Sequence, residues 1–275
     1  MALAPFPTQS PGRLDDEDRE IQLTDAEPLE EGRMSFLEHL DELRKRLIAS
    51  VYALIAGCVL AFFFVGRIQA FIFVPLHQAL GGEDFIFTKG FEPFMLMMKC
   101  GALAGLLVAA PFIIWQMWLF IAPGLYAHEK RFAIPFVLFA SIFFFLGAAF
   151  SHYVAFPWTW EFFRSWENEY MKFLPNIEDA FSIYVKMILA FGLIFQMPTV
   201  VFFLARMGVV TAGFMARNTK YAVLIIFIIA AVISPGTDVV SQALMAGPML
   251  GLYGLSILVA WIFAKKKKTP ELEDA

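Results

Sequence analysis

Six runs of uncharged, mostly apolar residues constrain the fold of this chain more than any other feature. They cover residues 47–66, 100–127, 132–151, 187–205, 221–237 and 239–264. Most of them reach the roughly 20 residues that an α-helix needs to cross a hydrocarbon core about 30 Å thick. The sequence therefore predicts an all-α, polytopic membrane protein with six transmembrane helices. The predicted spans are about 44–66, 94–121, 132–156, 181–206, 218–234 and 238–264.

The composition excludes a soluble domain. Hydrophobic residues make up 59% of the chain and the mean hydropathy is +0.67, more apolar surface than a soluble fold of this size can cover. The net charge of -4 is unevenly distributed, since residues 1–33 carry nine acidic side chains against three arginines. We expect this segment to be a disordered acidic cytosolic tail, residues 34–264 to form the membrane domain, and residues 265–275 to form a charged cytosolic tail.

Lysine and arginine in the connections predict the orientation of the helices. With the N-terminus inside, twelve of these side chains beyond the acidic tail lie on the cytosolic side and four in outer connections. We therefore expect both termini in the cytosol. The two large outer connections, 67–93 and 152–180, hold many aromatic residues among Pro and Gly and are predicted to pack as a cap on the helices.

Prolines and one short run predict an irregular bundle. Proline bends a helix, so we expect a bowed bundle from the prolines in or beside the apolar runs: Pro111, Pro135, Pro157, Pro198 and Pro248. The fifth run is short, because Tyr221 to Ile233 is only 13 residues and covers about 20 Å. Either this helix gains a turn from Asn218 and Thr219, or the bilayer thins around it.

Two carboxylates lie on the predicted cytosolic face. Glu129 belongs to the polar break 121–131, beside two basic residues. Glu42 belongs to the amphipathic segment 35–47, which is predicted to be a cytosolic helix that continues into the first span, and Arg46 follows it by four residues. Each carboxylate could form a local salt bridge. Each could instead accept a guanidinium group in bidentate fashion, which lysine cannot imitate, so an arginine-binding site is an alternative.

The sequence does not indicate other kinds of site. Cys58 and Cys100 lie in or at the end of apolar runs with no second thiol or His at metal-ligand spacing, so we expect core residues and neither a metal nor another cofactor. Motifs of intramembrane proteases do not occur, and we do not expect an enzyme. A six-helix secondary transporter or channel is the main alternative, although that class needs ionisable residues near the membrane midplane and the chain has almost none there.

Four stretches carry a resemblance to a known family: 39–47 (HLDELRKRL), 118–131 (WLFIAPGLYAHEKR), 191–198 (FGLIFQMP) and 234–242 (SPGTDVVSQ). They resemble TatC, the multispanning subunit of the twin-arginine translocase, and the likeness covers about residues 34–264. The resemblance implies a bacterial cytoplasmic-membrane protein that recognises twin-arginine signal peptides and exports folded proteins using the proton-motive force. It also implies TatA-like and TatB-like single-span partners, contact with membrane lipid and self-association in a larger complex, and no binding of nucleic acid.

The resemblance assigns a signal-peptide site to five residues. Glu129 would be the main acceptor of the arginine pair and Glu42 its partner. Leu43, Arg44 and Phe120 would shape the site around these two carboxylates.

The same resemblance singles out polar positions elsewhere. Pro75 and Asp238 fall at outer-loop positions that affect transport, and Gln242 falls at a contact with the single-span subunits. Gln196 stands where many members have Glu, and because glutamine cannot titrate, a mechanism that needs protonation at this depth is not expected here. Its amide could bond a polar side chain of a partner, or be satisfied inside the bundle by Gln116 or by backbone carbonyls.

Overall fold

A computed structural model describes residues 36–79, 81–82, 85–121, 133–234, 236 and 238–264 of the chain. The chain divides into two compact units, Met1–Glu42 and Leu43–Ala275. Of the first unit, the described ranges contain only the start of the first helix.

Ten α-helices account for most of the described residues. They are α1 (Phe36–Phe62), α2 (Val65–Ala79), α3 (Glu92–Ile121), α4 (Ala133–Phe150), α5 (Phe156–Arg164), α6 (Ile177–Ile194), α7 (Met197–Arg206), α8 (Ala212–Arg217), α9 (Thr219–Ile233) and α10 (Val239–Phe263). A π-helical turn, Ser151–Ala155, joins α4 to α5. Two isolated β-bridges, Ile86 with Asn176 and Asn168 with Met171, are the β-structure found in these ranges.

Five helical segments of the described chain are long and apolar enough to cross a membrane: Leu37–Phe62, Glu92–Ile121, Ile134–Arg164, Ile177–Arg206 and Val239–Phe263. The sixth predicted span is α9, which has 15 residues and extends about 22 Å. The helix begins two residues before the apolar run, with Thr219 and Lys220, and Asn218 directly precedes it. The architecture agrees with the all-α, six-helix prediction, and α9 is the short member.

The third span continues further outward than the sequence suggests. The segment formed by α4, the π-helical turn and α5 reaches Arg164, whereas the predicted third span ends at about residue 156. His152 is only 3% exposed. Its Nδ1 atom lies 2.9 Å from the Tyr184 hydroxyl, and its ring stacks on Phe71 with centroids 4.5 Å apart. Because these contacts cover and satisfy the imidazole, this polar residue does not end the helix.

Aromatic residues pack within each of the two outer connections. Phe73 of α2 contacts Phe85 at 6.0 Å and Phe181 of α6 at 6.4 Å between ring centroids. In the second connection, Trp160 lies 5.4 Å from Phe173. Such tilted and edge-on ring pairs stabilise a fold beyond the area that they bury. The packing agrees with the predicted aromatic cap, although α2 makes much of the first connection helical.

Helix α6 contributes more to the main core than its length suggests. Its buried residues are Ala180, Phe181, Tyr184, Met187, Ile188, Phe191 and Gly192.

Helices α1 and α3 approach each other closely at Gly57 and Gly105. A Cβ atom added to Gly105 would lie 2.5 Å from the Cys58 backbone, and one added to Gly57 would lie 2.5 Å from the Gly105 carbonyl oxygen. Only glycine permits this crossing, as is common where membrane helices touch.

Candidate functional site

Four of the five predicted signal-peptide residues lie on described helices. Glu42, Leu43 and Arg44 belong to α1, and Phe120 is the second-last residue of α3. The side chains of Leu43 and Arg44 are exposed, while those of Glu42 and Phe120 are half-buried. Glu129 lies in the segment 122–132, which is outside the described residues.

A guanidinium group is already bound on the predicted cytosolic half of the bundle. The Nη1 atom of Arg46 donates to Oε1 of Gln116 at 3.5 Å, which joins α1 to α3. Gln116 is 7% exposed, and a buried amide of this kind needs a partner. Gln116 is thus a polar link between two helices, next to the helix end that carries Phe120.

Aromatic packing fixes the helices that flank segment 122–132. Trp118 of α3 is 1% exposed. Its ring lies 4.2 Å from that of Phe136 of α4 and 5.0 Å from that of Phe203 of α7. Val137 is buried in the same cluster. The segment that carries Glu129 therefore begins and ends on helices that are packed against each other.

Gln196 lies at the break between α6 and α7. Proline lacks an amide hydrogen, and Pro198 at the start of α7 accounts for the interrupted helix here. The Nε2 atom of Gln196 donates to the carbonyl oxygen of Ala140 in α4 at 2.9 Å. The sequence left two partners for Gln196 inside the bundle, Gln116 or a backbone carbonyl. The structure shows the backbone carbonyl of Ala140, while Gln116 is bonded to Arg46.

Asp238 caps the predicted outer end of α10. Its Oδ2 atom accepts from the Ser241 amide at 2.8 Å, and its Oδ1 atom accepts from the Ser241 hydroxyl at 2.6 Å. The side-chain and backbone hydrogen bonds from Ser241 lower the pKa of Asp238 below its ordinary value. One turn further, Nε2 of Gln242 donates to the Phe227 carbonyl of α9 at 2.7 Å. These two side chains fix the start of α10 against its neighbour.

Pro75 lies inside α2 and not in an irregular loop. Its side chain is half-buried, one residue before Leu76, which is 1% exposed. Proline cannot donate a backbone hydrogen bond, so it interrupts the hydrogen bonding of α2 at this position. The described structure places Pro75 and Asp238 in different outer elements and shows no contact between them.

Glu92 is a buried carboxylate that sequence reasoning did not identify. It is 2% exposed at the start of α3. Its oxygens accept from the Thr88 amide at 2.9 Å, from the Thr88 hydroxyl at 3.0 Å and from Nδ2 of Asn176 at 3.2 Å. Asn176 in turn caps α6 by accepting from the Glu178 amide at 2.7 Å. Thr88, four residues before Glu92, was the only nearby residue in the sequence that could have indicated this cluster. Asn176 is remote in sequence and could not be linked to Glu92.

The described residues contain no group of three or more His, Cys, Asp or Glu side chains placed to hold a metal ion. Cys100 is buried and Cys58 is half-buried, each as a free thiol. The polar groups reported above sit at helix ends and between helices, where they join one helix to another. The fold and these groups define a multi-pass α-helical membrane protein whose polar side chains organise helix ends.

The comparison with known proteins identifies the family. Residues 38–248 match the family model of TatC, the Sec-independent protein translocase protein. The chain is similar to the Sec-independent protein translocase protein TatC of Desulforapulum autotrophicum, with 40% identity over 247 residues that cover 90% of this chain and 91% of the relative. The protein of the same name from Koribacter versatilis is 38% identical over 244 residues, covering 87% and 90%.

The solved structures agree with the sequence comparison. A crystal structure of the twin arginine translocase receptor TatC superposes with a TM-score of 0.72 at 36% identity, and the match covers 81% of this chain and 98% of that one. A second crystal structure of this receptor, in the detergent DDM, gives a TM-score of 0.73 at 35% identity. The chain belongs to the TatC family, and it is a multi-pass protein of the bacterial inner membrane.

Proposed function

We propose that this chain is the signal-peptide receptor and core subunit of a twin-arginine translocase. It binds Arg-Arg signal peptides at its cytosolic face, and it nucleates the complex that exports folded proteins with energy from the proton-motive force. The observation that carries this proposal is the match to the solved receptor, at 36% identity over 98% of that chain. The family model, which matches residues 38–248, supports it.

Glu129 and Glu42 are the proposed acceptors of the arginine pair. A carboxylate can receive two parallel N–H bonds from one guanidinium group, and the compact ammonium group of lysine cannot reproduce this geometry. Glu129 is the main acceptor of the arginine pair and Glu42 is its partner. Leu43, Arg44 and Phe120 shape the surroundings of these carboxylates.

The surface of α1 supports the proposed binding of the apolar part of a signal peptide. Leu43, Leu47 and Val51 recur every four residues, so they lie on one face of the helix. They are 42%, 61% and 47% exposed. An apolar segment of a signal peptide that binds along this face would cover these three exposed side chains. Binding of the signal would then combine carboxylate contacts at the helix end with apolar contacts along the helix.

The proposed partners are TatA-like and TatB-like single-span subunits, together with further copies of this chain. Gln242 is the proposed contact for a single-span helix. Its Nε2 atom is engaged by the Phe227 carbonyl, which leaves its Oε1 atom to accept from a polar side chain of the partner. Gln196 and Gln116 are proposed as further polar positions that act inside the assembly.

Photo-crosslinking tests the receptor proposal. A photoreactive residue is placed at position 42, 120 or 129, and membranes are incubated with a precursor that carries either an Arg-Arg or a Lys-Lys signal. Position 41 serves as the matched control, because Asp41 is the exposed neighbour of Glu42. We expect crosslinks from 42, 120 and 129 with the Arg-Arg precursor alone. Equal crosslinking of both precursors, or none from these three positions, would contradict the proposal.

A further inference from the structure

A lateral groove lies between α1, α3 and α6 on the predicted outer half of the membrane domain. Its cavity volume is about 530 Å³, which is in the range of small-molecule sites. Its apolar wall includes Leu54, Cys58, Ala102, Leu106, Val185 and Leu189. We call this cavity the outer groove. The close crossing of α1 and α3 at Gly57 and Gly105 lies beside it.

Two lysines line the outer groove besides the apolar residues. Lys99 of α3 forms an ion pair with Glu178 of α6, with Nζ and Oε1 2.6 Å apart. Lys186 of α6 is exposed, and no ion pair of Lys186 is found among the described residues. Asp179 is the other acidic residue in the first turn of α6, about 10 Å along the helix axis from Lys186. Among the described residues, the groove therefore carries one paired lysine, Lys99, and one lysine, Lys186, that forms no ion pair.

The position of Lys186 makes its charge costly without a ligand. It follows the first residue of α6, Ile177, by nine residues, or about 13 Å along the axis. Lysine within a membrane helix is expensive and usually marks a function. Helical side chains lean towards the N-terminus, and α3 and α6 both begin on the predicted outer side. Lys99 and Lys186 therefore direct their ammonium groups towards the outer surface, where long side chains reach the headgroup region.

We propose that the outer groove binds an anionic phospholipid of the outer leaflet. An acyl chain occupies the apolar wall formed by α1, α3 and α6, and the phosphate lies against Lys186, with Lys99 close by. A transmembrane helix of a protein partner fits this cavity poorly, because a helix with its side chains is about 10 Å wide and runs through the whole membrane. Lys186, beside the apolar wall of the groove, instead matches one phosphate attached to a hydrocarbon chain.

Native mass spectrometry of the purified full-length protein tests this site. The protein is titrated with phosphatidylglycerol or with zwitterionic phosphatidylcholine. We expect tighter binding of phosphatidylglycerol and a roughly fivefold loss of that binding in Lys186→Gln, the effect of one basic residue at a membrane surface. Lys172→Gln is the matched control, since Lys172 is exposed in the second outer connection and should leave binding unchanged. Equal binding of the two lipids, or unchanged binding by Lys186→Gln, overturns the proposal.

A second variant tests the apolar part of the groove without changing a charge. Ala102 is exposed into the groove, and Ala102→Phe fills it. We expect this variant to lose phosphatidylglycerol binding while its melting temperature in detergent stays at the wild-type value. A photoreactive residue at position 102, activated in native membranes, should form adducts with the mass of a phospholipid. Retained lipid binding by Ala102→Phe, or adducts with a protein subunit in place of lipid, overturns the proposal.

Discussion

The side-chain amide of Gln196 donates a hydrogen bond to the backbone carbonyl of Ala140, with 2.9 Å between nitrogen and oxygen. The contact holds the break between α6 and α7 against α4. Because an amide neither gains nor loses a proton, position 196 can stabilise this junction but cannot carry a proton for transport. Any coupling to proton flow in this chain must therefore use other groups.

Gln196→Leu tests how much this hydrogen bond contributes to stability. Hydrogen bonds between membrane helices contribute about 0.6 kcal/mol on average, so we expect the free energy of unfolding to fall by about that amount. Gln78→Leu is the control, since Gln78 is an exposed glutamine of α2. The measurement is unfolding of the purified protein in detergent. A loss several times larger would mean that Gln196 supports more than this one contact.

The glycine crossing of α1 and α3 predicts a sharp difference between two alanine substitutions. Gly105→Ala places a Cβ atom 2.5 Å from the Cys58 backbone, so the helices must separate. Overpacking of this kind costs about 1–3 kcal/mol. Gly251→Ala in α10 has no atom within 4 Å of the new Cβ and should be neutral or slightly stabilising, because alanine favours a helix over glycine. Thermal unfolding of both variants checks the prediction, which fails if the two melting temperatures are equal.

Asp238 should make the stability of α10 depend on pH. Its pKa lies below the ordinary value of 3.8, mainly because of the hydrogen bond from Ser241. A carboxyl whose pKa is lowered in the folded state stabilises the protein above its unfolded pKa, and that contribution disappears as the pH falls through the folded pKa. We expect Asp238→Ala to lower the melting temperature at pH 7, since a helix cap is lost.

The pH profile separates this cap from a general effect of negative charge. The difference in melting temperature between wild type and Asp238→Ala should be constant near neutral pH and shrink as the pH falls below about 4. Thr211→Ala, which removes the uncharged cap of α8, is the control, and its effect should not change with pH because a hydroxyl does not titrate in this range. A difference for Asp238→Ala that does not change with pH would contradict the capping role.

Glu92 should hold the two outer connections together. In Glu92→Ala, the Thr88 amide and the Asn176 side chain lose their acceptor, and buried donors without a partner destabilise a fold. We expect faster cleavage of the outer connections by a protease added to the outer face of membrane vesicles. Glu169→Ala is the control because Glu169 is exposed in the second outer connection. Equal cleavage rates for the two variants would show that Glu92 has no such role.

The helical architecture could be predicted because apolar length is a strong signal in a membrane protein. The specific contacts of the outer region could not be predicted, because they join residues that are distant in sequence. The third span continues past its predicted end, where Tyr184 and Phe71 cover the polar side chain of His152. Nothing in the sequence singled out Glu92, because its partner Asn176 lies 84 positions away.

The candidate site could be predicted only as a set of positions. The motif around Glu129 identified the family, which the comparisons confirm. Pattern alone could not reveal that Gln116 bonds Arg46 or that Gln196 bonds Ala140, since an amide can pair with many partners. The roles of Glu42 and Glu129 in signal recognition remain predictions.

The most direct test of the receptor proposal is the affinity of the purified protein for Arg-Arg and Lys-Lys signal peptides. We predict that the wild type prefers the Arg-Arg peptide, that Glu129→Ala abolishes this preference and that Glu42→Ala weakens it, since loss of one partner of a charged pair costs about 2–5 kcal/mol. Asp41→Ala should behave as wild type. If Glu129→Ala still distinguishes the two peptides as wild type does, the carboxylate of Glu129 is not the arginine acceptor and the proposed recognition site is wrong.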